Sequence, residues 1–222
     1  AAVEGRDEVA ALLMELSSPQ ELAGLIEGDT LLHIASRMGQ ETMAELLLLN
    51  NVDPNLRNRA GQTPIFLSSS AKVAGLLLDR KADLAVRSAD GGTVLSTLIR
   101  GKAEGTACLI LQSSHPLDVE HVGGALLAAA ESQSVELLKF FLPRNPEFHY
   151  RRAALLRASR LPNAAVVALL AGDGVAQSQD TRGTTPLHVA SNAEVTRTLL
   201  NFGLFADARN DRGQTPLFLA AA

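Results

Sequence analysis

The chain has 222 residues, 46% of them apolar, with 24 acids against 20 lysines and arginines and a net charge of −4. That size and composition allow a continuous buried core, whereas the acidic balance argues against a nucleic-acid binder, whose footprint is strongly basic. No apolar run approaches the roughly 18 residues that a membrane-spanning helix requires. A single cysteine, Cys108, leaves no intramolecular disulfide and suits a reducing, cytoplasmic setting.

At the amino terminus, Ala1–Leu13 (AAVEGRDEVAALL) reads as the end of one helix and the start of another, and Ser17–Glu27 as a lengthened connection. A phrase then begins that the chain repeats: GDTLLHIA at Gly28–Ala35 and GQTPIFLS at Gly61–Ser68. Weaker copies follow at Gly91 (GGTVLSTL), Gly123 (GGALLAAA) and Arg152 (RAALLRAS). Full copies return as GTTPLHVA at Gly183–Ala190 and GQTPLFLA at Gly213–Ala220. The steps are 33, 30, 32, 29, 31 and 30 residues. Self-similarity at that period predicts an all-α repeat solenoid, an architecture that offers a long binding surface.

Each phrase spells a helix start. The glycine permits the preceding turn. Thr30, Thr63, Thr185 and Thr215 can cap free N–H groups of the first turn, and Pro64, Pro186 and Pro216 fit the first helical position. A second helix follows, with Met43, Leu46 and Leu47, or Val73, Leu76 and Leu77, or Val195, Thr198 and Leu199 on one face. Asn, Asp, Gly and Arg fill the stretches to the next glycine, as in Asn50–Ala60 and Phe202–Arg212, which is turn chemistry.

On these residues, above all Gly183–Ala190, Glu194–Val195, Leu199–Leu200 and Asp207–Asn210, the chain resembles ankyrin-repeat proteins. The resemblance covers essentially the whole chain, is sharp at 28–90 and 180–222, and fades at 91–179. It implies one domain over 1–222: a partial repeat at 1–27, repeats starting near 28, 61, 91, 123, 152 and 183, and a partial repeat at 213–222. It further implies an L-shaped stack of helix pairs with β-hairpin fingers. In that family, finger tips and the exposed side of the inner helices bind partners. Neither end shows the polar capping unit that a stack needs, which suggests an internal segment of a longer array.

Spacing within the repeats adds a further expectation. Ser68 to Val73, Ala130 to Val135 and Ala190 to Val195 are five residues apart, whereas Ala35 to Met43 is eight, Leu98 to Ala107 nine and Ser159 to Val166 seven. The repeats therefore read as alternately long and short. Returns between helices should be shorter near Ser70, Ser132 and Asn192 than near Gly39, Lys102 and Pro162.

Arginines supply the candidate contacts. Arg37, Arg100 and Arg160 fall at first-helix ends in the long repeats, spaced about 20 Å apart if helix pairs stack at about 10 Å; Arg there also favours the helix's negative pole. Arg144, Arg151, Arg152, Arg157 and Arg160 crowd around Phe148, His149 and Tyr150, the aromatic-plus-Arg composition of interface hot spots, although Phe148 would equally serve packing. Fingers carry Arg57, Arg59, Arg87, Asp90, Arg182, Arg209 and Arg212. His33 and His188 are expected in the turn network, and Asn55 in hairpin ordering. His115, His121 and His149 lack a second ligand at metal spacing. Ser68–Ser70 lacks an activating base, and Gly91–Gly92 and Gly123–Gly124 read as turns. The expected function is a protein–protein interaction scaffold without catalysis or cofactor, its partner presenting an acidic or extended segment. The alternative is a substrate-docking or autoinhibitory segment of a larger enzyme, toxin or channel.

Overall fold

The computed structural model describes residues 25–26, 28–113, 119–144 and 147–221, without the side chains of Leu25, Ile26 and Arg144. The readings at Ala1–Leu13, at most of Ser17–Glu27 and at His115 lie outside these residues, as does the side chain of Arg144. The described chain is a succession of helix pairs forming two compact units, one up to His121 and one from Val122.

In the first unit, strands β1 (Leu25–Ile26) and β2 (Asp29–Thr30) pair antiparallel, with Leu25 opposite Thr30. Helices α1 (Leu31–Met38) and α2 (Glu41–Leu49) follow. A 3-10 turn at Pro64–Leu67 precedes α3 (Ala71–Asp79), and α4 (Val94–Arg100) precedes α5 (Glu104–Gln112). Helix α6 (Val119–Glu131) leads into the second unit, which continues with α7 (Val135–Phe141), α8 (Phe148–Ser159) and α9 (Ala164–Leu170). A 3-10 turn at Pro186–Val189, α10 (Ala193–Asn201) and α11 (Pro216–Ala220) complete it.

Each second helix buries part of the face that its sequence spacing marks; Met43, Leu46, Leu76 and Thr198 are only half-buried, and Ala44, Leu48, Ala74 and Leu78 are enclosed in addition. Leu47, Val73, Leu77, Val195 and Leu199 are fully enclosed, against first-element residues such as Leu32, Ile65, Leu95 and Ile99. Every such side chain removed from water is worth about 1.5–3 kcal/mol, so stacking helix pairs, and not isolated helix propensity, holds the fold together.

The alternation of long and short repeats takes a different form from the expected one. The returns are nearly uniform: 39–40, 68–70, 101–103, 132–134, 160–163 and 190–192. Residues are missing instead from the first element, which closes as a four-residue 3-10 turn in the second and sixth repeats. The cause lies between repeats. Past each 3-10 turn, a backbone N–H leaves its own repeat: Ser69 donates to Ser36 O (3.1 Å) and Ser191 to Ser159 O (2.9 Å). The acceptors are carbonyls in the last turn of a long first helix, where few intrahelical donors remain; that of Ser36 is shared with the Gly39 N–H (3.2 Å). Helix α6 breaks the pattern, since it runs for 13 residues. Gly123–Gly124 therefore lies inside a helix and is no turn. Likewise α8 starts at Phe148, which places Arg152 within a helix and not at a repeat start.

Candidate protein-interaction surface

The fingers share one chemical plan. Asn58 Oδ1 accepts from the N–H groups of Ala60 and Gln62 (both 3.0 Å). Asp180 Oδ1 does the same for Arg182 and Thr184 (both 2.8 Å), and Asn210 Oδ1 for Arg212 (3.0 Å) and Gln214 (2.9 Å). Such Asx turns mimic backbone turns, and each delivers the chain to a glycine with positive φ: 70° at Gly61, 71° at Gly183 and 71° at Gly213. Regular ladder structure is sparse, limited among the described residues to β1–β2 and one bridge between Arg87 and Thr93. Neighbouring fingers are tied by main chain, Ala89 N–H donating to Ala60 O (2.8 Å) and Asp211 N–H to Arg182 O (3.1 Å).

Histidines lock first elements to the next finger. Thr30 N–H donates to Nδ1 of His33 (3.2 Å), so Nε2 carries the ring proton and donates to Gln62 O (2.9 Å). His188 repeats this with Thr185 (3.2 Å) and Gln214 O (3.0 Å). Burial pushes the His33 imidazole below its usual pKa, against the opposing pull of the Gln62 carbonyl. Thr30 and Thr215 cap their helices as expected, and Thr93, not singled out in the sequence, does the same. Thr63 does not: Phe66 replaces the histidine three residues on, and the buried Thr63 hydroxyl has no partner. Asn55 orders its loop from both sides, accepting from Asp83 N–H (2.8 Å) and donating to Lys81 O (3.2 Å).

Against this frame the arginines divide. Arg37 folds back onto Asp29, whose other oxygen accepts from Asn58 Nδ2 (2.7 Å). Burial would raise the Asp29 carboxyl, but the Asn58 and Arg37 bonds outweigh it and hold the group below its usual range. The Asp90 carboxyl is held below its usual range first by the Ser88 hydroxyl and the Gly92 N–H, with Arg100 the least contributor. Of the expected row of projecting guanidiniums, Arg37 is thus engaged within its own repeat, whereas Arg100 and Arg160, at the ends of α4 and α8, are exposed. The basic stretch of α8 is also largely committed. Arg157 pairs with Glu131. Arg151 is only 12% exposed and reaches Asp173 (3.0 Å), so reversing its charge would destabilise the fold and cannot serve as a clean binding probe. Arg152 is half-buried. Tyr150 is a packing residue: a Cβ on Gly123 would overlap its ring, so the glycine within α6 makes room for it. Phe148 stays 52% exposed and does not fill a core position.

Most finger arginines are left open as well. Arg57, Arg59, Arg182 and Arg212 are exposed, with the Arg59 stem lying over Gly28. Arg87 pairs with Glu120. Arg182 and Arg212 come together in a cleft of about 270 Å³ that Asp211, Gln214 and Leu219 also line. Sequence reading missed the supports of these tips, although the signal is local: Asn58, Asp180 and Asn210 each stand three residues before the glycine. Among the described residues, no three His, Cys, Asp or Glu gather as a metal site, and no helix is long and apolar enough to cross a membrane.

Stacked helix pairs, Asx-turn fingers and histidine locks between repeats define a repeat protein of the ankyrin class. The family model "Ankyrin repeats (3 copies)" matches residues 1–88 and 155–222, and the chain belongs to that family. Over 53 residues it is 45% identical to receptor-interacting serine/threonine-protein kinase 4 of Mus musculus, which covers 23% of this chain and 7% of that protein. Over 82 residues it is 37% identical to neurogenic locus notch homolog protein 1 of Mus musculus, 35% of this chain and 3% of that one. The chain thus matches only a small part of these relatives' length. The crystal structure of the ankyrin repeat domain of Bcl-3 superposes with a TM-score of 0.71 at 25% identity, over 87% of this chain and 95% of that one. Ankyrin-repeat domains typically bind proteins and are not catalysts.

Proposed function

We propose that this chain binds a protein partner through its fingers and the adjoining exposed side of its first elements. The carrying observation is that Arg57, Arg59, Arg182 and Arg212 stand exposed on preorganised turns, whereas Arg37, Arg151 and Arg157 are engaged in ion pairs. Preorganisation lowers the ordering cost of binding. Beside the fingers, one position four residues after the threonine of each phrase stays half-buried: Ile34, Leu67 and Thr97 in the first unit, Val189 and Leu219 in the second. A partner lying along a finger row meets arginine forks on one side and these mostly aliphatic residues on the other, the mix found in binding hot spots.

Similarity to a stretch of a much longer kinase supports a second reading, in which the same surface docks a substrate or an inhibitory segment within a larger protein. Both readings share one test. Arg57→Glu with Arg59→Glu, and separately Arg182→Glu with Arg212→Glu, should weaken capture of a bound partner. Lys139→Glu with Arg197→Glu, on exposed second-helix positions, should not. Equal loss from the second-helix pair would place the surface elsewhere.

A further inference from the structure

We infer that the cleft between the last two fingers is a carboxylate subsite that takes an aspartate or glutamate side chain of an extended partner segment, with an aliphatic neighbour resting on Leu219. The inference rests on the protein-binding reading and adds the chemistry of the residue bound. Two identical turns present the two guanidiniums. Asp180 fixes the N–H groups of Arg182 and Thr184, and Asn210 those of Arg212 and Gln214. The bond from Asp211 N–H to Arg182 O (3.1 Å) sets the separation of the two turns. Both arginines are exposed, and neither is held in a salt bridge among the described residues, although Arg182 helps to hold the nearby Asp180 carboxyl below its usual range. Arg209, by contrast, donates to Gly213 O (3.0 Å) within its own finger. Two planar forks opening on one cleft suit an acceptor with in-plane oxygens.

Charge selects between anions. The cleft lining carries Arg182 and Arg212 against Asp211, an excess of one positive charge. Asp180 spends its oxygen on its own turn. The carboxylate of Asp211 lies beside Gly183, 2.8 Å from where a Cβ would stand. A monoanionic carboxylate neutralises this set. A phosphate dianion overshoots it and meets Asp211 as a like charge, which disfavours it. Leu219 supplies an apolar wall, so the recognised unit is an acid next to an aliphatic side chain.

The test is a displayed library of random extended dodecapeptides selected on the full chain, with selected sequences resynthesised for fluorescence polarisation. The expected result is enrichment of Asp or Glu adjoining Leu, Ile or Val. Changing that acid to its amide should weaken binding roughly tenfold or more, as the loss of charge-assisted bonds implies. Arg182→Gln with Arg212→Gln should abolish the difference between acid and amide while leaving the melting temperature unchanged. Peptides enriched without an acid, an acid preference that survives in the double variant, or phosphoserine outcompeting glutamate would each overturn the carboxylate subsite and leave the protein-binding reading standing. Failure to enrich any peptide would count against both.

Discussion

His33 is fully buried between Thr30 and the Gln62 carbonyl, a place that accepts a neutral imidazole with its proton on Nε2. Burial depresses its pKa in the folded chain, whereas the unfolded chain titrates near the ordinary value of about 6.5. The folded state therefore binds the proton less readily than the unfolded one. Its stability contribution is complete above about pH 6.5 and is lost as pH falls through the lowered folded value. Phe66 occupies the equivalent buried place in the second repeat, so phenylalanine fits there. Thermal melts between about pH 7.5 and pH 5 should show a smaller loss of stability in His33→Phe than in the unsubstituted chain; parallel profiles would remove His33 from the account. The histidine's place in the turn was legible because Thr-x-x-His is a local pattern. Its reach to the next finger was not, since Gln62 lies 29 residues away.

Among the elements, the two 3-10 first turns make a controlled comparison. Thr63 and Thr185 hold the same position, but the Thr63 hydroxyl is buried without a partner while Thr185 Oγ1 meets Nδ1 of His188 at 2.9 Å. Removing an unsatisfied buried hydroxyl is neutral or favourable, whereas removing a satisfied one costs about 1 kcal/mol. Thr185→Val should thus lower unfolding free energy by about that amount in denaturant titration, and Thr63→Val should leave it equal or higher. Equal losses at the two sites would contradict the bonding described. Where the elements begin was readable in the repeats with a full phrase, because caps, prolines and glycines act on adjacent residues. Their lengths were not, because the bonds from Ser69 to Ser36 and from Ser191 to Ser159 cross between repeats. The starts of the fourth and fifth first helices were misread for another reason. Gly123 signals a turn in sequence but serves the Tyr150 ring in space, and Arg151 and Arg152 lie inside α8.

At the scale of the molecule, charge that looked available in sequence is largely committed to the fold. Spacing alone marked clusters of arginines, but it could not show Asp29, Glu131 and Asp173 facing three of them. What remains open is the finger edge. Hydrogen exchange of the full chain, with and without a selected partner, tests that claim most directly, because slowed exchange reports which main-chain groups the partner covers. The account predicts added protection at residues 57–62, 87–92, 180–184 or 209–214 and at the first-element positions beside them. Protection confined to the exposed sides of α2, α3, α7 and α10, with the fingers unchanged, would contradict it.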